Sequence, residues 1–471
     1  MNSEKFSARA HIALSDKRLR ANFRRAMDGL MDKRTAQFPD PIAFEALRTR
    51  GAAIRANALA KLPDLLEQLD ARCTANGIQV HWAKTVAEGN SIISTILGRH
   101  HARLVIKGKS MVSEEMHLNH HLETEHITTI ESDLGEYIIQ LAGETPAHIV
   151  MPCIHKNRDQ IAQLFADHIP DQAYTEDVDA LTAAARHVLR ERFASADAGI
   201  SGVNFAVAET GTLVLIENEG NGRLSTTLPL VHIAVTGIEK VVEKLDEIPP
   251  LLALLPRSAT GQPITTYVNM ISSPRKDSEK DGPTEVHLVL LDNGRSKVYA
   301  DKQLRDTLRC IRCGACMNHC PVYGRVGGHA YDAVYPGPIG KILMPQLDGI
   351  DSKGDLAHAS TLCGACAEVC PVKIPIPDIL VRLREESVNP TGAVAHSHFS
   401  GTLERVIWAG WRILNTSPKL YRFALWAAAR FGNSLPTTLP GLKQWCSIRT
   451  PPDFAKRSLH DMAFEEGFSH E

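Results

Sequence analysis

No stretch of the sequence reaches the ~18 consecutive apolar residues that a membrane-spanning helix needs. Neither charge is in excess. The chain of 471 residues carries 52 Lys+Arg against 54 Asp+Glu, a net charge of −2, which argues against a protein whose main partner is nucleic acid. The N-terminal MNSEKFSARAHIALSDKRLR is basic but lacks an apolar segment before a small-residue cleavage site, so no secretory signal is expected and the chain is read as cytoplasmic. A Walker pattern is missing, and so is a strand–GxGxxG–helix fingerprint. A bound nucleotide or NAD would therefore need some other pocket. What remains is 44% hydrophobic and 23% charged, ordinary for a folded protein of two to four domains at ~100–200 residues each.

The cysteines are unevenly placed. Seven of the ten lie between positions 310 and 370, while Cys73, Cys153 and Cys446 are scattered singly. A disulfide scaffold spreads its cysteines through a short secreted chain, the opposite of this distribution. CIRCGACMNHCP supplies Cys310, Cys313, Cys316 and Cys320, and LCGACAEVCP supplies Cys363, Cys366 and Cys370. The spacing C-x2-C-x2-C-x3-C-P is that of two-cluster ferredoxins, in which the fourth cysteine serves the other cluster. Structural zinc sites pair C-x2-4-C knuckles across a longer spacer and fit this run poorly. Gly314 and Gly364 each follow a cysteine, where a missing Cβ lets backbone approach an inorganic core.

Crossed wiring assigns the ligands. Cys310, Cys313 and Cys316 with the distal Cys370 are expected to hold one cluster, and Cys363 and Cys366 with Cys320 the second. Ser360 stands where the second run would have its first cysteine. The second cluster thus has three thiolates in view and is either [3Fe-4S] or [4Fe-4S] with a serine, water or partner ligand. Ser360 also suits a helix N-cap in HASTLCGAC, the reading favoured here. His319 and His358 are expected as surface or supporting side chains, since cysteine already supplies the soft donors. Two neighbouring redox centres imply an electron relay.

Four regions follow along the chain. Residues 1–76 read as helices with a charged, solvated face. Residues 77–300 alternate strands (IQVHWA, ARLVIK, HITTIES, AHIVMPCI, LVHIAVTG, EVHLVLLD) with helices (VAEGNSIISTILGRH, NRDQIAQLFADHI, DALTAAARHVLRERFASA), which predicts an α/β domain on a largely parallel sheet. VNFAVAETGTLVLIENEGNGR predicts a hairpin turning near Glu209-Thr210-Gly211. Residues 301–390 form an α-helical ferredoxin module, with helices expected in DKQLRDTLRC, IGKILMPQL, LAHASTLC and PDILVRLREES. Residues 391–471 hold Trp408, Trp411, Trp426 and Trp445, with seven Lys/Arg and one Asp/Glu between 401 and 450. There GTLERVIWAGWRIL aligns Leu403, Val406, Ile407, Trp411 and Leu414, and Ser417-Pro418 is expected to cap the next helix. Such a basic, aromatic amphipathic region packs on its own protein, docks on a partner or lies on a membrane surface.

The α/β domain, CIRCGACMNHCPVYGRVGGHAY, YPGPIGKIL, STLCGACAEVCPVKIPIPDIL and the Trp-rich tail, in that order, resemble the lactate-utilisation iron–sulfur protein B family over nearly the whole chain. The resemblance implies two [4Fe-4S] clusters, the second with an open position. It also implies an N-terminal LUD domain with the fold of sugar-phosphate isomerases and CoA transferases. Its implied role is electron carriage in the oxidation of L-lactate to pyruvate. The implied partners are the lactate-utilisation proteins A, which is cysteine-rich, and C, which contains a second LUD domain; quinone contact through the tail is left open. The alternative is that the LUD domain acts itself on a 2-hydroxy acid or an acyl carrier. Its candidate residues are Lys84, Lys107, Lys109, Glu209, Glu219, Asn221 and Arg223, of which Glu209, Glu219, Arg223 and Lys107 are the catalytic candidates. Gly-flanked carboxylates in ETGTLVLIENEGNGR also suit an ordinary hairpin turn, and Lys107 and Lys109 also suit a solvated loop.

Overall fold

The computed structural model describes residues 5–388, 402–439, 443, 446, 450–451 and 453–467. Trp445 lies outside them. By their contacts, Met1–Thr391 form one compact unit and Gly392–Glu471 a second.

Four helices open the first unit: Phe6–Ser15, Lys17–Gln37, Pro41–Ala60 and Leu62–Ala75. The Asp16 carboxylate accepts from the Leu19 N–H, and Asp40 accepts from Ile42 and Ala43 with Pro41 at the first helical position, which satisfies donors a helix start leaves free. Phe23, Met27 and Leu30, and Leu62, Leu65, Leu66 and Leu69, are buried, the faces that three- and four-residue spacing predicts. The solvated-face expectation fails for three arginines. Arg55 is 1% and Arg34 8% exposed. Arg55 donates to the carbonyls of Val241, Glu239, Leu308 and Arg309, Arg34 to that of Val369 and Arg48 to those of Ala367 and Cys370. A guanidinium with five fixed donors suits clustered loop carbonyls. These helices therefore strap the sheet to the cysteine segment.

The strands are β1 Gln79–Ala83, β2 Leu104–Lys107, β3 Thr128–Glu131, β4 Ala198–Gly202, β5 Phe205–Val207, β6 Thr212–Glu217, β7 Val231–Gly237, β8 Val241–Val242, β9 Tyr267–Ile271 and β10 Glu285–Leu291. Six form one parallel sheet in the order β1-β10-β7-β4-β2-β3. Every residue of β4 and β7 is buried, as expected of strands covered on both faces. The other four form a sheet in the order β8-β5-β6-β9. The hairpin β5/β6 turns at Glu209–Gly211 in the register Phe205↔Val214. Gly211 has φ +67°, and a Cβ there would lie 2.9 Å from the backbone of Arg72 and Cys73. In the parallel sheet, β2 leads outward to β3, whereas β4, on the other side of β2, leads to β7. The order in which strands are added reverses between β2 and β4.

Three local expectations are corrected. AHIVMPCI (147–154) is irregular rather than a strand, because the His148 ring Nδ1 accepts from the N–H groups of Val150 and Met151 and takes them from any ladder. DKQLRDTLRC forms turns and a 3-10 segment, Arg305–Arg309, since Asp301 accepts from Gln303 and Leu304. In LAHASTLC the helix ends at His358. Ser360 Oγ then accepts from the Leu362 N–H at 3.2 Å, closing a turn rather than capping a helix. The helices Gly337–Leu347 and Ile376–Val388 coincide with IGKILMPQL and PDILVRLREES.

In the second unit, helices Thr402–Thr416 and Pro418–Phe431 and a short helix Leu459–Glu465 are described. Ser417 precedes Pro418, but its side chain makes no capping bond. Val406, Ile407, Trp408, Trp411 and Trp426 are exposed, and the rings of Trp408 and Trp411 meet edge to face at 5.9 Å. Among the described residues no helix is long and apolar enough to cross a membrane.

Candidate metal centre and the crevice beside it

Both cysteine runs use the same backbone device. Arg312 (φ +60°) and Gly314 (φ +75°) flank Cys313 in left-handed conformation, and Leu362 (φ +55°) and Gly364 (φ +84°) flank Cys363 in the same way. Each glycine then opens a four-residue helix, Ala315–Asn318 or Ala365–Glu368. Alternating left- and right-handed residues turn successive N–H groups inward as a nest. Glycine carries the left-handed turn without a Cβ penalty.

The thiols gather in two sets. Cys310, Cys313, Cys316 and Cys370 line one small cavity, walled by Ile311, Ile339 and Ile374. Cys320, Cys363 and Cys366 line another, together with Ser360 and Lys341. Each run thus lends its cysteine before proline to the other run's cavity. The two cavities adjoin: the helices Ala315–Asn318 and Ala365–Glu368 pack on each other, and Cys316 and Cys366 lie within electrostatic reach.

The donor set suits a multinuclear cationic core. Burial and mutual crowding push the Cys316 thiol well up, and burial above all raises Cys366 and Cys370 to about 11. Such thiols ionise when a metal replaces the proton. Cys363, the exposed member, is drawn down chiefly by the N–H of Ala365 and then by the Thr361 side chain. Among the described residues no cysteine belongs to a group of three ligand atoms within 4.8 Å of one another. Thiolates on a single zinc would sit ~3.8 Å apart, given its ~2.3 Å bonds. No three of these thiols lie that close together, so they suit a single zinc poorly.

Positive charge and N–H groups surround the sulfurs. Backbone N–H groups of Arg312, Tyr323 and Ile374 donate to Sγ of Cys310, Cys320 and Cys370 at 3.4, 3.5 and 3.4 Å. The buried Lys341 donates to Cys320 Sγ at 3.4 Å and lies over the Tyr331 ring at 5.6 Å. Lys240 donates to the Cys310 carbonyl at 3.4 Å, and Arg34 lies within electrostatic reach of Cys313. Sequence reasoning missed this ring of cations. Lys341 sits in an unassuming Gly/Pro connector, and Arg34 and Arg55 come from helices 335 and 254 positions away from the carbonyls they bind. His319 binds its own helix through Ala315 O and His358 reaches Ser387.

One buried ion network fastens the first run to the sheet. Arg295 makes paired 2.8 Å contacts to both Glu115 oxygens and a 2.6 Å contact to Glu239, which also pairs with Arg312 at 3.3 Å. Against the upward push of burial, Arg295 and Arg312 hold the Glu239 carboxyl down at about 2. Tyr335 donates to Glu115 at 2.9 Å, and Arg312 lies over its ring at 4.4 Å.

A crevice of about 300 Å³ opens beside the first thiol set. It lies beyond the carboxyl ends of β2 and β4, where the strand order reverses, the usual ligand position in open α/β sheets. Lys109, Asn204, Glu219, Lys240 and Arg312 line it, and Cys313 lies in its wall. Glu219 is raised to about 7, by burial of its carboxylate first and by Asp133 second, although the residue's outer surface is exposed.

The other LUD candidates separate. Asn221 lines the crevice, and Lys109 does so while donating to the Val150 carbonyl. Lys107 is fully buried, 3.0 Å from Glu114 and 2.8 Å from Glu131, so it is neither a solvated loop lysine nor free for a substrate. Burial alone would depress its amine, but Glu131, Glu114 and Glu136 lift it above the ordinary lysine value. Glu209 is exposed and accepts from the Leu245 N–H, and Arg223 and Lys84 are exposed; none of the three lines the crevice.

Comparison with known proteins gives three family matches. The LUD domain matches residues 66–291, the 4Fe-4S dicluster domain 306–374, and the C-terminal domain of lactate utilisation protein B 382–468. Lactate utilization protein B of Bacillus licheniformis is 39% identical over 98% of this chain and 96% of its own length. The protein of the same name from Bacillus subtilis (strain 168) is 38% identical over 98% and 96%. The uncharacterized electron transport protein YkgF of Escherichia coli (strain K12) is 41% identical over 87% and 86%. A solved structure, that of a DUF162 family protein from Deinococcus radiodurans, aligns over 49% of this chain and 98% of that one at 16% identity and a TM-score of 0.29.

Proposed function

The chain belongs to the lactate utilization protein B family, and from that premise we propose that it is the iron–sulfur electron-transfer subunit of a complex oxidising L-lactate to pyruvate. Cys310, Cys313, Cys316 and Cys370 would hold one cluster, and Cys320, Cys363 and Cys366 the second, with Ser360 at its open side. The observation that carries this is the pair of adjoining thiol-lined cavities. A bound cluster supplies one-electron transfer, with a potential set by hydrogen bonds, charge and burial. The chain's own residues do the rest. Backbone N–H groups and Lys341 hold the thiolates, and Arg34 and Arg312 offset their charge. The apolar walls of the first cavity exclude water. The names of the relatives support the lactate role and electron transport, and a complex with the lactate-utilisation proteins A and C is part of the same proposal.

Purified anaerobically, the chain should contain iron and sulfide for two clusters. Lactate should reduce them when the partner proteins are present, and an iron-free, zinc-loaded preparation would refute the proposal.

A second reading is favoured by one observation, Cys313 in the wall of the switch-point crevice. On it, the LUD domain takes a 2-hydroxy acid or acyl carrier beside the first cluster, with Glu219 as the group that handles the proton. Glu219→Gln should then abolish turnover and leave the cluster spectrum unchanged. Full turnover in that variant would remove the reading.

A further inference from the structure

At the other end of the parallel sheet, three side chains converge that the lactate reaction does not use. Glu285 and His287 stand at the amino end of β10, and His100 follows the helix Val86–Arg99 as its C-terminal cap. Glu285 Oε2 lies 3.3 Å from His100 Nε2 and 3.4 Å from His287 Nε2, and the three ligand atoms all fall within 4.8 Å of one another. His287 is 1% exposed, and its Nε2 has no hydrogen-bond partner.

The His100 contact is within hydrogen-bond reach, but both histidine separations exceed the ~2.7–2.9 Å that a charged ring N–H and a carboxylate prefer. They match another geometry. An ion bound tetrahedrally at ~2.0–2.2 Å holds its ligand atoms ~3.3–3.6 Å apart, the edge of the tetrahedron. The rest of the site is built as metal sites are. His81 Nε2, on the edge strand β1, lies 3.0 Å from His287 Nδ1. When His287 Nδ1–H donates to His81, the Nε2 lone pair points at Glu285, and a cation between them turns that repulsion into two bonds. A partner on the far nitrogen is what fixes a ligating histidine's tautomer and orientation. Gln79 donates to the same Glu285 oxygen at 3.4 Å and steadies the carboxylate.

We propose that His100, Glu285 and His287 form a site for a divalent transition-metal ion, with zinc the best fit, that ties the helix Val86–Arg99 to the amino end of β10. Two imidazoles and one carboxylate suit zinc and leave a fourth position for water. The site stands apart from the cysteines and does not depend on the electron-transfer reading. A second group, Glu144, His155 and His329, lacks the geometry: Glu144 lies 2.6 Å from both His155 and Lys156, which is ordinary hydrogen bonding.

The test uses the full chain with its clusters assembled, so that no vacant thiol competes for zinc. Titration with zinc chloride, followed by calorimetry and metal analysis, should show one equivalent bound and a higher Tm. His287→Ala and His100→Ala should each weaken binding at least tenfold and abolish the Tm rise. His101→Ala, next door but outside the group, should retain both. Should His287→Ala fail to fold, His100→Ala decides alone, because its side chain is 30% exposed. No zinc bound, or equal zinc in the wild type and His100→Ala, overturns the proposal.

Discussion

Lys341→Met isolates the contribution of one buried charge to one cluster. Methionine keeps most of the apolar stem and removes the ammonium that donates to Cys320 Sγ at 3.4 Å. An electron added to the second cluster spreads over its core, so the relevant separation is longer than that contact. At roughly 6 Å and an effective dielectric constant of about 20, the interaction is about 3 kcal/mol. At 59 mV per tenfold change for a one-electron couple, that corresponds to ~130 mV. Relaxation and water entering beside the shorter, uncharged side chain reduce the shift, so a fall of about 60 mV or more is expected in the second cluster's midpoint. The proposed first cluster, at the cavity lined by Cys310, Cys313, Cys316 and Cys370, should move far less. A redox titration followed by electron paramagnetic resonance resolves the two. Equal shifts in both clusters, or none in the second, would refute the placement of Lys341 beside one cluster only.

Ser360→Cys should supply a fourth thiolate to the second cavity, whose wall Ser360 already forms. Any [3Fe-4S] signal in the oxidised protein should then give way to [4Fe-4S], and a persistent three-iron signal would count against the assignment. Glu239→Gln leaves Arg295 and Arg312 buried and short of a partner, so a loss of roughly 3–5 kcal/mol in urea unfolding is expected. The same carboxylate sets an acid limit. Its folded value, about 2, lies below the unfolded one, so its stabilisation is present above pH ~4.5 and is lost as pH falls towards 2. Stability in Glu239→Gln should therefore vary less across that window than in the wild type. Gly314→Ala should reduce iron content more than Gly364→Ala, because a Cβ at 314 would crowd the His148 ring at 3.1 Å whereas one at 364 meets open space.

The strands and helices of the α/β domain were legible because burial on both faces and amphipathic spacing leave strong periodic traces, as in VHIAVTG and VAEGNSIISTILGR. AHIVMPCI misled because its apolar run has the composition of a strand, while its conformation is decided by the His148 ring. The gathering of Cys310, Cys313 and Cys316, and of Cys363 and Cys366, at common cavities was legible from spacing, because three-residue intervals keep the thiols within a short stretch of chain. The LUD candidates fared unevenly. Glu219 and Asn221 reached the crevice, whereas Lys107 was drawn inward by Glu114 and Glu131, partners that no local pattern announces.

Local sequence determined what short-range geometry governs: the helix starts at Asp16 and Asp40, the turn at Gly211, and the left-handed residues around Cys313 and Cys363. Only tertiary structure decided which charges surround the sulfurs, that Cys313 borders a crevice where the strand order reverses, and that His100 meets His287. Those juxtapositions join residues far apart along the chain. A burial pattern shows that a residue faces inward, but its partner there is chosen by the packing of the whole unit.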